Sequence, residues 1–313
     1  MIEERFGQLS REWYHELADV QAALRDRQAE MTAYANFGET AYTVFVKGWI
    51  PRKELKRLRK ALIDAFGDRV VLTVLPVTTE MLDLVPVSYN NPFWVRPFEF
   101  FMQLVGLPRY REVDPTLLTA ISFPLFFGLI VGDIGYGLVI LLFSLLLRHK
   151  FPDIPWIQQI GSILLISSIP AIFFGYVFGE FFGDFAEHMG WLHPVHLFGI
   201  TWNRLEAIIP LLILTVGIGA CHIFLGLFIG AYNAAVRRKR KHLCEKCGMI
   251  GVLTGIILLL LTMTGLAAGT LIFPSLLILL VSLVLLIYGG GVLAGIEIMG
   301  TLGNIMSYSR LMA

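Results

Sequence analysis

After Asp114-Pro115-Thr116 charge density falls abruptly, and apolar runs follow one another to the end of the chain with polar breaks between them. About 20 apolar residues, with a range of about 17 to 25, cross a hydrocarbon core. By that rule candidate spans fall at 116–132, 134–147, 157–182, 206–233, 249–268, 271–288 and from 293 onward. The fold class is therefore an α-helical membrane protein with about seven transmembrane helices. Composition agrees: 56% of residues are hydrophobic and 16% charged, against about a quarter charged in soluble domains. The net charge of +1 gives no reason to expect nucleic acid as a partner. Three cysteines supply no disulfide framework.

The first two spans form one apolar run that would reach about 50 Å as a single helix, so "GDIGYG" must break it into a tight hairpin of two short helices. The basic stretches Arg148 to Lys150 and Arg237 to His242 follow the second and fourth spans, whereas the loop after the third is acidic. The positive-inside rule puts both basic loops in the cytoplasm if the N-terminus lies there. "MIEERFGQLSREWYHEL" has no signal-peptide pattern, which agrees with a cytoplasmic N-terminus.

Four regions are expected. In 1–40, Phe6, Leu9, Trp13, Leu17, Val20 and Leu24 recur in steps of three and four, a stripe on a coiled-coil helix that calls for a partner helix. In 41–85, "AYTVFVKGWIP", "RKELKRLRKALIDAF" and "RVVLTVLPV" read as a small cytoplasmic β-α-β unit. Its basic run from Arg52 to Lys60 reads as a solvated helix face, with an acidic partner or lipid head groups as the second possibility. Region 86–115, marked by Pro86, Pro92, Pro97 and Pro108, is an irregular connector. Region 116–313 is the membrane domain.

Several polar residues in the apolar part are candidates for chemistry. Arg310 stands in an apolar segment, where a guanidinium costs from about 2.5 to more than 10 kcal/mol unless it faces a cavity, a counter-charge or a bundle interior. Counting back by three and four gives Ser307, Met306, Gly303, Gly300 and Met299, a face with two glycines over which another helix could slide. Glu297 is too far along the helix to pair with Arg310 and marks the cytoplasmic side. "FFGLIVGD" (126–133) is echoed by "FFGYVFGE" (173–180), and Asp133 and Glu180 close the two copies at the outer surface. Those acids could draw cations toward a cavity, or the motif could be packing glycines with interfacial acids. His222 could line a wet path or bond to a neighbouring helix. His188, His193 and His196 read as plain loop residues, and "HLCEKC" (242–247) as reduced surface thiols lacking a fourth metal ligand. Neither "GDIGYG" nor "GGGVLAG" follows a strand of a β-α-β unit, so no nucleotide cofactor and no metal is expected.

"KGWIP", "NNPFWVRPFEFFMQLVGLPRYREVDPT", "FPLFFGLIVGDIGYG" and "GNIMSYSRLMA", in that order over essentially the whole chain, resemble the a subunit (subunit I in prokaryotes) of V-type and A-type rotary ATPases. The resemblance implies a non-catalytic stator subunit that carries protons or sodium ions in an ATP-driven pump or synthase. Its implied partners are the proteolipid c/K ring, peripheral-stalk subunits of E/G type, a central-stalk subunit of d/C type and the lipid bilayer, with a prokaryotic plasma membrane as the location.

Arg310 matches the family's essential arginine, which faces the ring carboxylate. An adjacent cation favours the ionised carboxylate, so the ion leaves on one side of Arg310 and another must bind before the carboxylate meets hydrocarbon. Asp133, Glu180 and Asp184 are then expected near an outer half-channel and Glu297 and Asn304 toward an inner one, with Ser307 and His222 beside the path and Gly300 and Gly303 facing the ring. Family members have eight membrane helices and about twice this length, so the chain reads as a fragment. A secondary transporter or channel acting alone, with the repeated motif as half-helices around a midplane site, is the alternative. A purely structural anchor is a third reading.

Overall fold

The computed structural model describes residues 2–34, 37–78, 81–82, 84–197, 199–204, 206–291 and 293–311. They form two compact units, 1–79 and 80–313.

In the first unit, helix α1 (Ile2–Tyr34) is followed by a two-stranded antiparallel hairpin, β1 (Gly38–Glu39) with β2 (Val44–Phe45), and by helix α2 (Leu55–Phe66). Along α1 the stripe residues Trp13, Leu17, Val20 and Leu24 are all exposed, while the side chains of Phe6 and Leu9 lie outside the described ones. The basic residues of α2 face solvent, and Leu55, Leu58 and Leu62 are the half-buried ones. The expected second strand does not form among the described residues: 70–78 is extended at Val70 but carries no ladder, and Val71 and Val74 are exposed. A strand needs a neighbour to take its N–H and C=O groups, and β2 is paired with β1 instead.

The second unit begins with the connector, which is built onto the membrane helices rather than standing apart from them. Its short helix α3 (Glu99–Val105) and the preceding turn put Val95 and Phe98 into a core with Ala120 and Ile163. Phe98, Phe101 and Phe123 form an aromatic cluster with centroids 5.0 to 6.3 Å apart.

The apolar helices follow: α4 (Thr116–Val131), α5 (Ile134–Lys150), α6 (Pro155–Phe178), the single turn α7 (Phe185–His188), α8 (Ile208–Val236), α9 (Arg240–Met263), α10 (Ile272–Gly290) and α11 (Ala294–Ser307). A small hairpin, β3 (His196–Leu197) with β4 (Ile200–Thr201), lies in the loop before α8.

A helix forms at each of the seven predicted places, but among the described residues four are long and apolar enough to cross a membrane: α6, α8, α9 and α10 with its leading turn from Gly269. At 16 and 17 residues, α4 and α5 are the short hairpin helices expected from "GDIGYG". Two further expectations are corrected. α9 starts nine residues before 249, so His242, Cys244 and Cys247 are helical, and α11 ends at Ser307 after 14 residues.

Small residues set the helix contacts. In hydrocarbon no hydrophobic force draws helices together, so close backbone approach and dispersion hold them. Gly248, Gly251 and Gly255 of α9 lie against Leu286, Ser282 and Leu279 of α10, and Gly128 of α4 lies against the Pro170 ring of α6. The buried hydroxyls of Ser144, Ser275 and Thr262 donate to carbonyls three residues back in their own helices, which meets their hydrogen-bonding need without water. On α10, Phe273, Leu280, Val284 and Ile287 point outward, an apolar surface suited to lipid.

Candidate functional site

Among the described residues of the second unit, the candidate residues fall into polar groups at the two opposite ends of the helices and in one cluster between them. At the α4/α5 turn, the second glycine of each repeated motif ends a helix in the left-handed conformation, Gly132 at φ 41° and Gly179 at φ 74°. A residue with a Cβ is strained there. The first glycine of the second motif, Gly175, is pressed against the backbone of Asp133 and Ile134. The Ile134 N–H donates to the Glu180 carbonyl (3.0 Å), so the two motifs meet end to end.

Asp133 is 1% exposed and accepts from the N–H groups of Tyr136 (2.9 Å), Phe182 (3.0 Å) and Gly183 (2.6 Å). It caps α5 and ties down the next loop, so its lone pairs are committed to backbone. Glu180 is different. It is half-buried and paired with Arg204 at 3.5 Å. Burial pushes its carboxyl up; the guanidinium pulls it down, and the charges of Asp133 and Asp184 add to the upward push. Arg204 also donates to the carbonyls of Leu129 (2.8 Å) and Ile130 (3.1 Å) at the end of α4 and covers the Phe178 ring. Sequence reading missed Arg204, although it is the one Lys or Arg between 179 and 207.

At the opposite end, Glu112 of the connector pairs with Arg237 at 2.8 Å, and the Val113 N–H donates to Asn233 (3.0 Å). Glu297, at the start of α11, is held by Lys246 of α9 at 2.9 Å, and Lys246 also reaches Glu245 at 2.9 Å. Pairing across helices was invisible in the sequence because residues 246 and 297 are far apart along the chain. Among the described residues no group of three or more His, Cys, Asp or Glu could hold a metal ion.

The third cluster lies between α8 and α11. A cleft of about 550 Å³ is lined by His222, Thr301, Asn304, Ser307 and Tyr308 together with apolar neighbours. His222 is 14 residues into the 29-residue α8, about 21 Å along it and hence near its middle. Its Nδ1 shares a 2.6 Å hydrogen bond with the Tyr308 hydroxyl, which brings the end of α11 to that depth. Arg310 does not continue the helix: Tyr308–Leu311 is a tighter 3-10 turn. Its side chain is exposed, and among the described residues it makes no ion pair. Gly300 and Gly303 are exposed, with nothing among the described residues within 4 Å of where a Cβ would stand, and Met299 and Met306 flank them in the open. The sequence-predicted residues therefore divide. His222, Asn304 and Ser307 come together; Asp133 and Glu180 share one end; Glu297 stands at the other.

Residues 8–203 match the model of the V-type ATPase 116 kDa subunit family. The chain belongs to that family. It is similar to the A-type ATP synthase subunit I of Methanocaldococcus jannaschii, with 28% identity covering 99% of this chain and 49% of that protein. Subunit I of Methanothermobacter thermautotrophicus is 30% identical over 100% of this chain and 46% of its own length. The human V-type proton ATPase 116 kDa subunit a 2 is 29% identical over 55% of this chain and 20% of its own length. The chain thus spans about half the length of these two archaeal relatives. Within this V-type ATPase 116 kDa subunit family member, the matched region runs through the repeated glycine motifs and ends just before Arg204, and the two archaeal matches above extend across the α8/α11 cleft.

Proposed function

We propose that this chain is the ion-path portion of a rotary ATPase stator subunit, working against a rotating ring of proteolipid subunits to couple ion movement to ATP hydrolysis or synthesis. The observation that carries the reading is Arg310: an exposed guanidinium with no counter-charge among the described residues, beside an open two-glycine face and a polar cleft. A cation so placed is costly in a membrane unless something outside the described chain meets it, and a ring carboxylate is suited to do so. In this reading Arg310 keeps the passing carboxylate ionised and separates two aqueous half-channels. Asn304, Ser307 and His222 line the approach, and Glu297 lies toward the cytoplasmic mouth. Glu180 stands near the outer one, with Asp133 as the anchor of its loop. Gly300 and Gly303 let ring helices pass close.

The subunit is non-catalytic. Its first unit, with the N-terminus in the cytoplasm, joins peripheral stalks of E/G type and lies near the central-stalk d/C-type subunit. The exposed stripe on α1 supports a helical partner there. The test is Arg310→Ala in the assembled complex in membrane vesicles. ATP-driven ion uptake is expected to vanish while ATP hydrolysis persists; uptake at the unsubstituted level would overturn the assignment of Arg310.

A further inference from the structure

Arg310 rides on a turn of four residues, and such a turn does not fix a guanidinium by itself. The residue that starts the turn, Tyr308, is held in three ways. Its hydroxyl bonds His222 Nδ1 at 2.6 Å. The ring of Phe126, from α4, stands edge-on to both, 5.4 Å from Tyr308 and 5.2 Å from His222. Gly219, one turn before His222 on α8, leaves the space the tyrosine ring fills; a Cβ there would overlap it. Two neighbouring helices, α4 and α8, thus converge on one side chain two residues from Arg310. Among the described residues nothing lies within 4 Å of a Cβ built at Gly300 or Gly303, on the glycine face of α11.

We propose that His222 and Tyr308 are a positioning pair that holds the Arg310 turn at the middle of α8, with Gly219 as the seat of the tyrosine ring. This rests on the ion-path reading of Arg310. The pair does not carry the ion. It sets where the guanidinium stands, and a displacement of about 1 Å at a reacting centre can cost a large factor in rate. Mid-membrane, a hydroxyl and an imidazole satisfy one another, and removing either partner leaves the other without its bond. The same geometry gives His222 a use that requires no titration.

The test uses vesicles carrying the assembled complex and reads ion uptake per ATP hydrolysed, with subunit content measured in parallel. Tyr308→Phe removes one oxygen and keeps the ring, and His222→Ala removes the partner. Each is expected to lower the ratio about three- to tenfold at unchanged subunit content, a loss in line with one hydrogen bond. His222→Asn places an amide where Nδ1 stands and is expected to restore the ratio to within about twofold. The double variant is expected to be no worse than the worse single one, because both remove the same bond.

A normal ratio in Tyr308→Phe, additive losses in the double variant, or no rescue by asparagine overturns the pair. If His222→Ala fails to assemble, Tyr308→Phe alone decides. Arg310→Ala separates the two claims. Uptake lost there with Tyr308→Phe normal rejects the pair and leaves the ion-path reading standing, whereas uptake retained in Arg310→Ala rejects both.

Discussion

Glycines in α4 and α6 and in α11 recur at spacings of three or four residues, yet they have opposite surroundings. Gly128 and Gly175 are closed off by another segment of the same chain, against Pro170 and against the Asp133–Ile134 backbone. Gly300 and Gly303 meet nothing within 4 Å among the described residues. The first pair is used up in folding, while the second is left smooth. In a membrane, where helices associate by close backbone contact, a glycine face left open is a surface for a partner rather than a fault in packing. The acids divide in the same way: Asp133 is consumed by three backbone N–H groups, whereas Glu180 keeps a single ion pair and partial exposure.

Substitutions can break or sharpen this contrast. The largest effect is expected from Gly175→Ala, whose methyl would meet backbone atoms that cannot rotate away. Overpacking of that kind costs about 1–3 kcal/mol or more, and thermal unfolding of the detergent-solubilised protein is expected to fall by several degrees. Survival of the full melting temperature would show that the two motifs do not meet as described.

Asp133→Ala comes next. Three backbone N–H groups lose their buried acceptor, and a loss of about 2 kcal/mol is expected by denaturant titration, with Asp133→Asn retaining part of it.

Glu180→Gln is smaller and depends on pH. Burial raises the folded-state pKa above that of the unfolded chain, so the folded protein holds the proton more tightly. The stability this group contributes is therefore present below the ordinary glutamate range and is lost as pH rises through the raised value. The glutamine variant should show a flatter stability profile across that window and match the parent below it. An identical profile in parent and variant would place Glu180 outside the pH response.

Gly303→Ala, at the open face, is expected to cost no stability and to raise it by up to about 1 kcal/mol, because the added methyl touches nothing among the described residues and alanine favours the helix. In the assembled complex the same methyl should lower ATP-driven ion uptake if a ring helix passes there. Equal destabilisation by Gly303→Ala and Gly175→Ala would erase the contrast.

Much of this architecture is legible in the amino-acid sequence alone. Apolar run lengths mark the helices because a bilayer forces backbone groups to pair within a segment, and the break at Gly132-Asp133 is readable because the unbroken run is too long to be one span. The kinship carried by "FPLFFGLIVGDIGYG" and "SYSRLMA" is readable too, as is the open face of α11, since helical periodicity alone aligns Met299, Gly300, Gly303 and Met306.

Tertiary structure decided everything that depends on pairs distant in sequence. It turned Asp133 from a candidate surface acid into a buried cap, because the N–H groups of Phe182 and Gly183 arrive from a loop some 50 residues on. It gave Glu180 the partner Arg204 and Glu297 the partner Lys246, and it seated Tyr308 between His222, Phe126 and Gly219. It also left 70–78 without a ladder, since β-propensity describes a residue's fit to a sheet and cannot supply the neighbouring strand. Local sequence sets period, length and caps; which two faces touch is a property of how the helices cross, and no single segment contains it.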